Sequence, residues 1–91
     1  MKYRQKDPDD TIKMVWDWSD WLGSAAIASV AYDLSSGISQ ANSSNTNTTN
    51  TNYISGGVLD GEYFVKATIT TDDAVPRIES RTQMVRVVRK S

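Results

Sequence analysis

Residues 62–71, Glu62-Tyr63-Phe64-Val65-Lys66-Ala67-Thr68-Ile69-Thr70-Thr71, decide the fold. Tyr63, Val65, Ala67 and Ile69 alternate with Phe64, Lys66, Thr68 and Thr70, which is the period of a strand with one buried face. Asp60-Gly61 supplies a tight turn before it, and residues 72–76, ending in Pro76, read as a hairpin connection after it. The chain then returns as a long final strand over residues 77–89. Val85 and Val87 should face the core there, with Arg81, Arg86 and Arg89 at solvent-facing or partner-facing positions.

Working back towards the N-terminus, residues 11–18 show the same period, with Ile12, Met14, Trp16 and Trp18 on one side. Ser19, Asp20, Trp21, Leu22 and Gly23 break it, as a turn or a single helical turn folded onto the sheet, with Trp21 expected to plug the sandwich end. Residues 25–32 are rich in alanine but brief, and Gly23 and a Ser/Gly turn bound them, so they read as the second strand. In the tract QANSSNTNTTNTN, threonine suits a pleated surface while asparagine and serine favour turns. Two strands joined by a turn are expected, closed by Ser55-Gly56-Gly57. Residues 1–10 are polar, and Pro8 cannot donate to a ladder, so they read as an extended arm or edge segment. About seven short strands at this spacing predict an all-β sandwich or small barrel.

Composition narrows what such a domain can do. The 91 residues contain no cysteine and no histidine, so no disulfide framework, Cys-based zinc site, thiol chemistry or Ser-His chemistry can be assembled. A formal net charge of −1 argues against a sequence-independent grip on nucleic acid. The charged start MKYRQKDPDD has no apolar leader region, and no apolar run approaches bilayer length, so a soluble protein made in the cytosol is expected, with no membrane partner. No cofactor and no catalytic pair is expected.

Several residues carry two readings. Asp7, Asp9, Asp10, Asp17, Asp20, Asp72 and Asp73 offer oxygen ligands, but acids beside Pro and Gly are usually turn formers and no calcium-loop spacing is present. Trp16, Trp18 and Trp21 could stack on a carbohydrate, yet in a chain only 38% hydrophobic they fit core and interface better. Asn42-Ser43-Ser44 and Asn47-Thr48-Thr49 match the glycosylation pattern as chance matches in a biased tract. Arg77, Arg81, Arg86, Arg89 and Lys90 gather towards one terminus, and Asp7, Asp9, Asp10, Asp17 and Asp20 towards the other. Such a distribution suits head-to-tail contacts between copies as well as an ordinary charged surface.

The motifs Asp7-Pro8-Asp9-Asp10, Trp18-Ser19-Asp20-Trp21-Leu22-Gly23, Ser55-Gly56-Gly57, Gly61-Glu62-Tyr63 and Val85-Arg86-Val87, in this order and spacing, resemble a family of small tailed-phage virion proteins described as fibre-tail adaptor, neck or decoration proteins. Two departures stand out: Gln83 where a large apolar residue is expected, and the Asn/Thr tract in place of a more ordinary strand pair. The resemblance implies an immunoglobulin-like sandwich over residues 11–91 behind an arm of residues 1–10. It also implies an adaptor at the head-tail junction or tail, in multiple copies, touching connector, tail, fibre or capsid proteins after assembly in the host cytoplasm. A capsid decoration protein and a carbohydrate- or receptor-binding module are the alternatives. Tyr3, Arg4, Trp18, Trp21, Arg81, Arg86 and Arg89 are the expected contact residues.

Overall fold

The computed structural model describes residues 3–89; Met1, Lys2, Lys90 and Ser91, which belong to the expected arm, basic cluster and domain end, lie outside the described residues. Seven strands and one helical turn follow in order: β1 (Tyr3–Lys6), β2 (Ile12–Asp17), α1 (Ser19–Leu22), β3 (Ile27–Leu34), β4 (Ile38–Asn45), β5 (Thr49–Gly56), β6 (Glu62–Thr71) and β7 (Ile78–Val87). They form a four-stranded sheet, β1-β7-β6-β3, and a three-stranded sheet, β2-β5-β4. Every pairing is antiparallel except that of β1 with β7, which is parallel.

Period-two burial builds the core as the alternation requires. In β6, Tyr63, Val65, Ala67, Ile69 and Thr71 are buried; β2 contributes Ile12, Met14 and Trp16, and β7 contributes Val85 and Val87. These residues, with Trp18, Leu22, Ile27, Ile38 and Ile54, form one cluster drawn from both sheets. Fully burying one such aliphatic side chain is worth about 1.5–3 kcal/mol, so the two facing layers, not local propensity, hold the strands in register.

Strands two, five and four share one sheet, and strands three, six and seven the other, a partition compatible with an immunoglobulin-like sandwich. Tyr63 adds to that compatibility. It opens β6 at the β5–β6 corner, and its hydroxyl accepts the Val58 N–H at 2.9 Å, five residues upstream. The ring lies so close to the corner glycines that a Cβ on Gly37, at φ +101°, would come within 2.9 Å of it. A side chain at Gly57, at φ +92°, would meet Val87 at 2.7 Å.

Residues 3–6, expected as an arm or edge segment, pair with β7 in the register Tyr3↔Met84 to Lys6↔Val87. The Asn/Thr tract is the β4–β5 hairpin. Its Asn50 and Asn52 are buried because they alternate with half-buried threonines on a strand that faces the core. Trp21, expected to plug the sandwich end, packs there partly buried against the core. Trp18 and Leu22 are sealed inside, whereas Trp21 remains partly exposed, because the turn of α1 carries its ring across the outside of Trp18.

Candidate protein-binding surface

The outward face of the four-stranded sheet follows from the register. Val65, Ala67, Ile69, Val85 and Val87 point inward, so Phe64, Lys66 and Thr68 of β6, Met84 and Arg86 of β7, and Tyr3 and Gln5 of β1 point outward. Tyr3 pairs with Met84, and Met84 with Phe64, which lays an apolar row across three neighbouring strands. Gln5, Arg86 and Glu62 form the row beside it, and Thr82, Lys66 and Asp33 the row on its other side. An apolar centre inside a polar rim is the anatomy of a protein-binding patch.

Where β1 begins, the sheet edge opens into a cleft of about 260 Å³ lined by Tyr3, Arg4, Thr82, Gln83 and Met84. Small-molecule sites span roughly 300–1,000 Å³ and bury most of their ligand. This smaller, open cleft is scaled to one side chain of a protein partner.

The seven expected contact residues separate into three places. Tyr3, Arg4 and Arg86 all lie exposed at the β1–β7 edge, Tyr3 and Arg86 on the outward face and Arg4, in phase with Lys6, on the other. Trp18, Trp21 and Arg81 meet at the far end of the sandwich, and Arg89 stands exposed beyond the end of β7. Trp18 cannot be a contact residue of the folded chain, since its exposure is 0%. Its Nε1–H is donated to Asn50 Oδ1, and the Arg81 guanidinium covers its ring at 4.4 Å from the centroid. Trp21 packs edge-on against Trp18 with the rings 6.0 Å apart, and Arg77 sits 4.7 Å over it. A sugar therefore finds no open tryptophan platform at this end.

The arginines that looked free are engaged inside the chain. Arg77 Nε pairs with Asp73 at 2.8 Å and its Nη2 donates to the Leu22 carbonyl. The Arg77 hydrogen bond to Asp73, followed by one from Thr71, holds the Asp73 carboxyl below its ordinary value of 3.8. Arg81 Nη1 donates to the Asp17 carbonyl, and Gln83 Nε2 to that of Val15 at 2.8 Å. Gln83 is thus polar because it caps the exposed edge of β2.

Three residues escaped the sequence reading. Phe64 and Met84 sit on the solvent side of their strands, and a large apolar residue in the polar phase of an alternating strand was the available signal. Lys6 is the third. It is fully buried, and its Nζ donates to the carbonyls of Gly56 at 2.7 Å, Asp7 at 2.9 Å and Pro8 at 3.4 Å. Burial pushes its ammonium below 10.5, while Asp10, Asp7 and Asp9 pull it back up. The neighbouring acids build the turn: the Asp9 N–H donates to Asp7 Oδ1 and the Asp10 N–H to the Asp7 carbonyl, each at 3.0 Å. Among the described residues no group of three or more His, Cys, Asp or Glu side chains could hold a metal.

By fold, then, this is a small two-sheet β protein whose inward residues close a single core and whose outer sheet carries an apolar row. A family model described as podophage GP4 fiber-tail adaptor protein gp77 matches residues 6–86, and the chain belongs to that family of structural phage proteins. No curated protein and no solved structure matches it.

Proposed function

We propose that this chain fastens a fibre, or another virion component, to the tail or the head-tail junction, in several copies per particle, and that it does so by adhesion without catalysis. Family membership supports the adaptor role. The observation that carries the choice of surface is the Tyr3–Met84–Phe64 row with its cleft and charged rim. An ordinary specific interface takes about 800 Å² from each partner, roughly a seventh of the 5472 Å² this chain exposes. One sheet face can supply it. The partner would set an aromatic or aliphatic side chain into the cleft beside Tyr3 and Arg4, with Arg86 and Lys66 steering its approach.

The test is to build Met84→Lys into the phage and weigh the protein content of purified particles. The position faces outward, so circular dichroism of the purified variant should match that of the parent. Particles retaining this chain but depleted of fibres, or depleted of the chain itself, are expected. A full complement of both would refute the surface assignment. Copy number separates the decoration alternative: a few to a dozen or so copies fit an adaptor, and hundreds fit a cement protein.

A further inference from the structure

The sandwich has four edge strands, and it treats them unequally. Along β2, the carbonyls of Val15 and Asp17 are capped from the other sheet by Gln83 and Arg81. β1 is four residues long and carries Arg4. β3 is irregular between Ile27 and Ser29 and carries Asp33 near its end. Short length, bulges and charged residues are the usual means of stopping one sheet from adding to another.

β4 lacks charge altogether. Its sequence, Ile38–Asn45, is ISQANSSN, every residue after Ile38 is exposed, and no strand among the described residues pairs with its outer side. The chain carries no charged residue between Asp33 and Asp60, so the whole β4–β5 hairpin is neutral. A bulge between Gln40 and Asn42 is its one irregularity, and residues 42–45 then run in regular register against β5. Nothing at this edge repels a strand of the same composition.

We infer that β4 is a homotypic pairing edge, at which the stretch 42–45 of one copy pairs antiparallel with the same stretch of a second copy about a two-fold axis through Ser43 or Ser44, joining two three-stranded sheets into one of six strands. The neutral composition selects this occupant. In an antiparallel self-pair the side chain on the two-fold axis faces its own copy and its neighbours face each other, so a charge at the axis would meet a like charge, and here there is none. Serine and asparagine, each both donor and acceptor, are complementary to themselves. The contact is short, so it serves copies held close together in a particle more than free chains.

The absence of cysteine makes the test direct. Single substitutions Asn42→Cys, Ser43→Cys and Ser44→Cys, with Ala74→Cys on an exposed turn as the control, are each oxidised in the full chain and followed on non-reducing gels. A disulfide-linked dimer should form several-fold faster at the position nearest the two-fold axis than at Ala74→Cys. Adding lysine at the remaining two of these positions should abolish that advantage while the circular dichroism spectrum stays unchanged. Equal rates at all four positions, a dimer indifferent to the lysines, or cross-links in whole particles that join β4 only to a different protein would each overturn the proposal.

Discussion

At one end of the sandwich Lys6 is drawn fully inside and spends its three protons on the carbonyls of Asp7, Pro8 and Gly56, beside the Tyr63 ring and its surrounding glycines. At the other end the cations stay outside: Arg77 and Arg81 lie over Trp21 and Trp18 and reach the carbonyls of Leu22 and Asp17. Both ends must satisfy main-chain carbonyls where strands stop, and both use a cation. The difference is that the arginines lie over tryptophan rings on the outside, whereas the lysine is itself sealed within the fold. A buried cation is stabilising only while all its acceptors are present, whereas a solvent-facing guanidinium laid over a ring loses little when one contact goes.

That contrast gives an order of effects. Lys6→Met keeps the side-chain volume but leaves three carbonyls short of a donor, and it should cost about 3 kcal/mol in urea denaturation. A loss under about 1 kcal/mol would show that water replaces the ammonium easily and would erase the contrast. Asn50→Ala comes next. It strips the acceptor from Trp18 Nε1 and the donor from the Tyr32 hydroxyl, which keeps only its bond to the Thr51 carbonyl, and about 2 kcal/mol is expected. The lysine end should keep its amide-exchange protection in that variant while the end around α1 loses it.

The smallest effect is one of acid pH and is read at the arginine end. The carboxyls of Asp73 and Asp17 are both held below 3.8, the first chiefly by Arg77 and the second chiefly by the Ser19 N–H. Folding therefore favours their ionised forms. The stability they contribute is complete above 3.8 and disappears as the pH falls through their lowered folded values. Melting curves taken from pH 7 down to pH 2 should show Tm falling through this acid range. Asp73→Asn should flatten part of that fall, and an unchanged profile would mean that the Asp73–Arg77 pair contributes nothing.

How far the sequence reveals this depends on the range of the interactions. β6 and β2 were legible because burial imposes a two-residue period that any window displays, and the β4–β5 hairpin because threonine and asparagine divide into pleat and turn. The role of Lys6 was hidden. Its strongest acceptor, the Gly56 carbonyl, lies 50 residues away, and a lysine between glutamine and aspartate reads as solvated. The alternation of residues 11–18 placed Trp18 on the buried side, whereas the partial exposure of Trp21 follows from the single helical turn that carries it across the outside of Trp18. The expected contact surface was legible only in part: Tyr3 and Arg86 share the outward face through the parallel β1–β7 pairing, which joins residues 81 apart in the chain, as Tyr3 with Met84. Phe64 and Met84, which complete that surface, looked like imperfections in their strands.

The account rests on one face of the four-stranded sheet being the surface by which this adaptor holds its neighbour. A reconstruction of the intact particle that resolves this chain tests that directly. The expected result places it where a fibre meets the tail, with Tyr3, Met84 and Phe64 covered by the adjoining protein. Finding the chain there with that face open to solvent and the arginine end buried instead would contradict it.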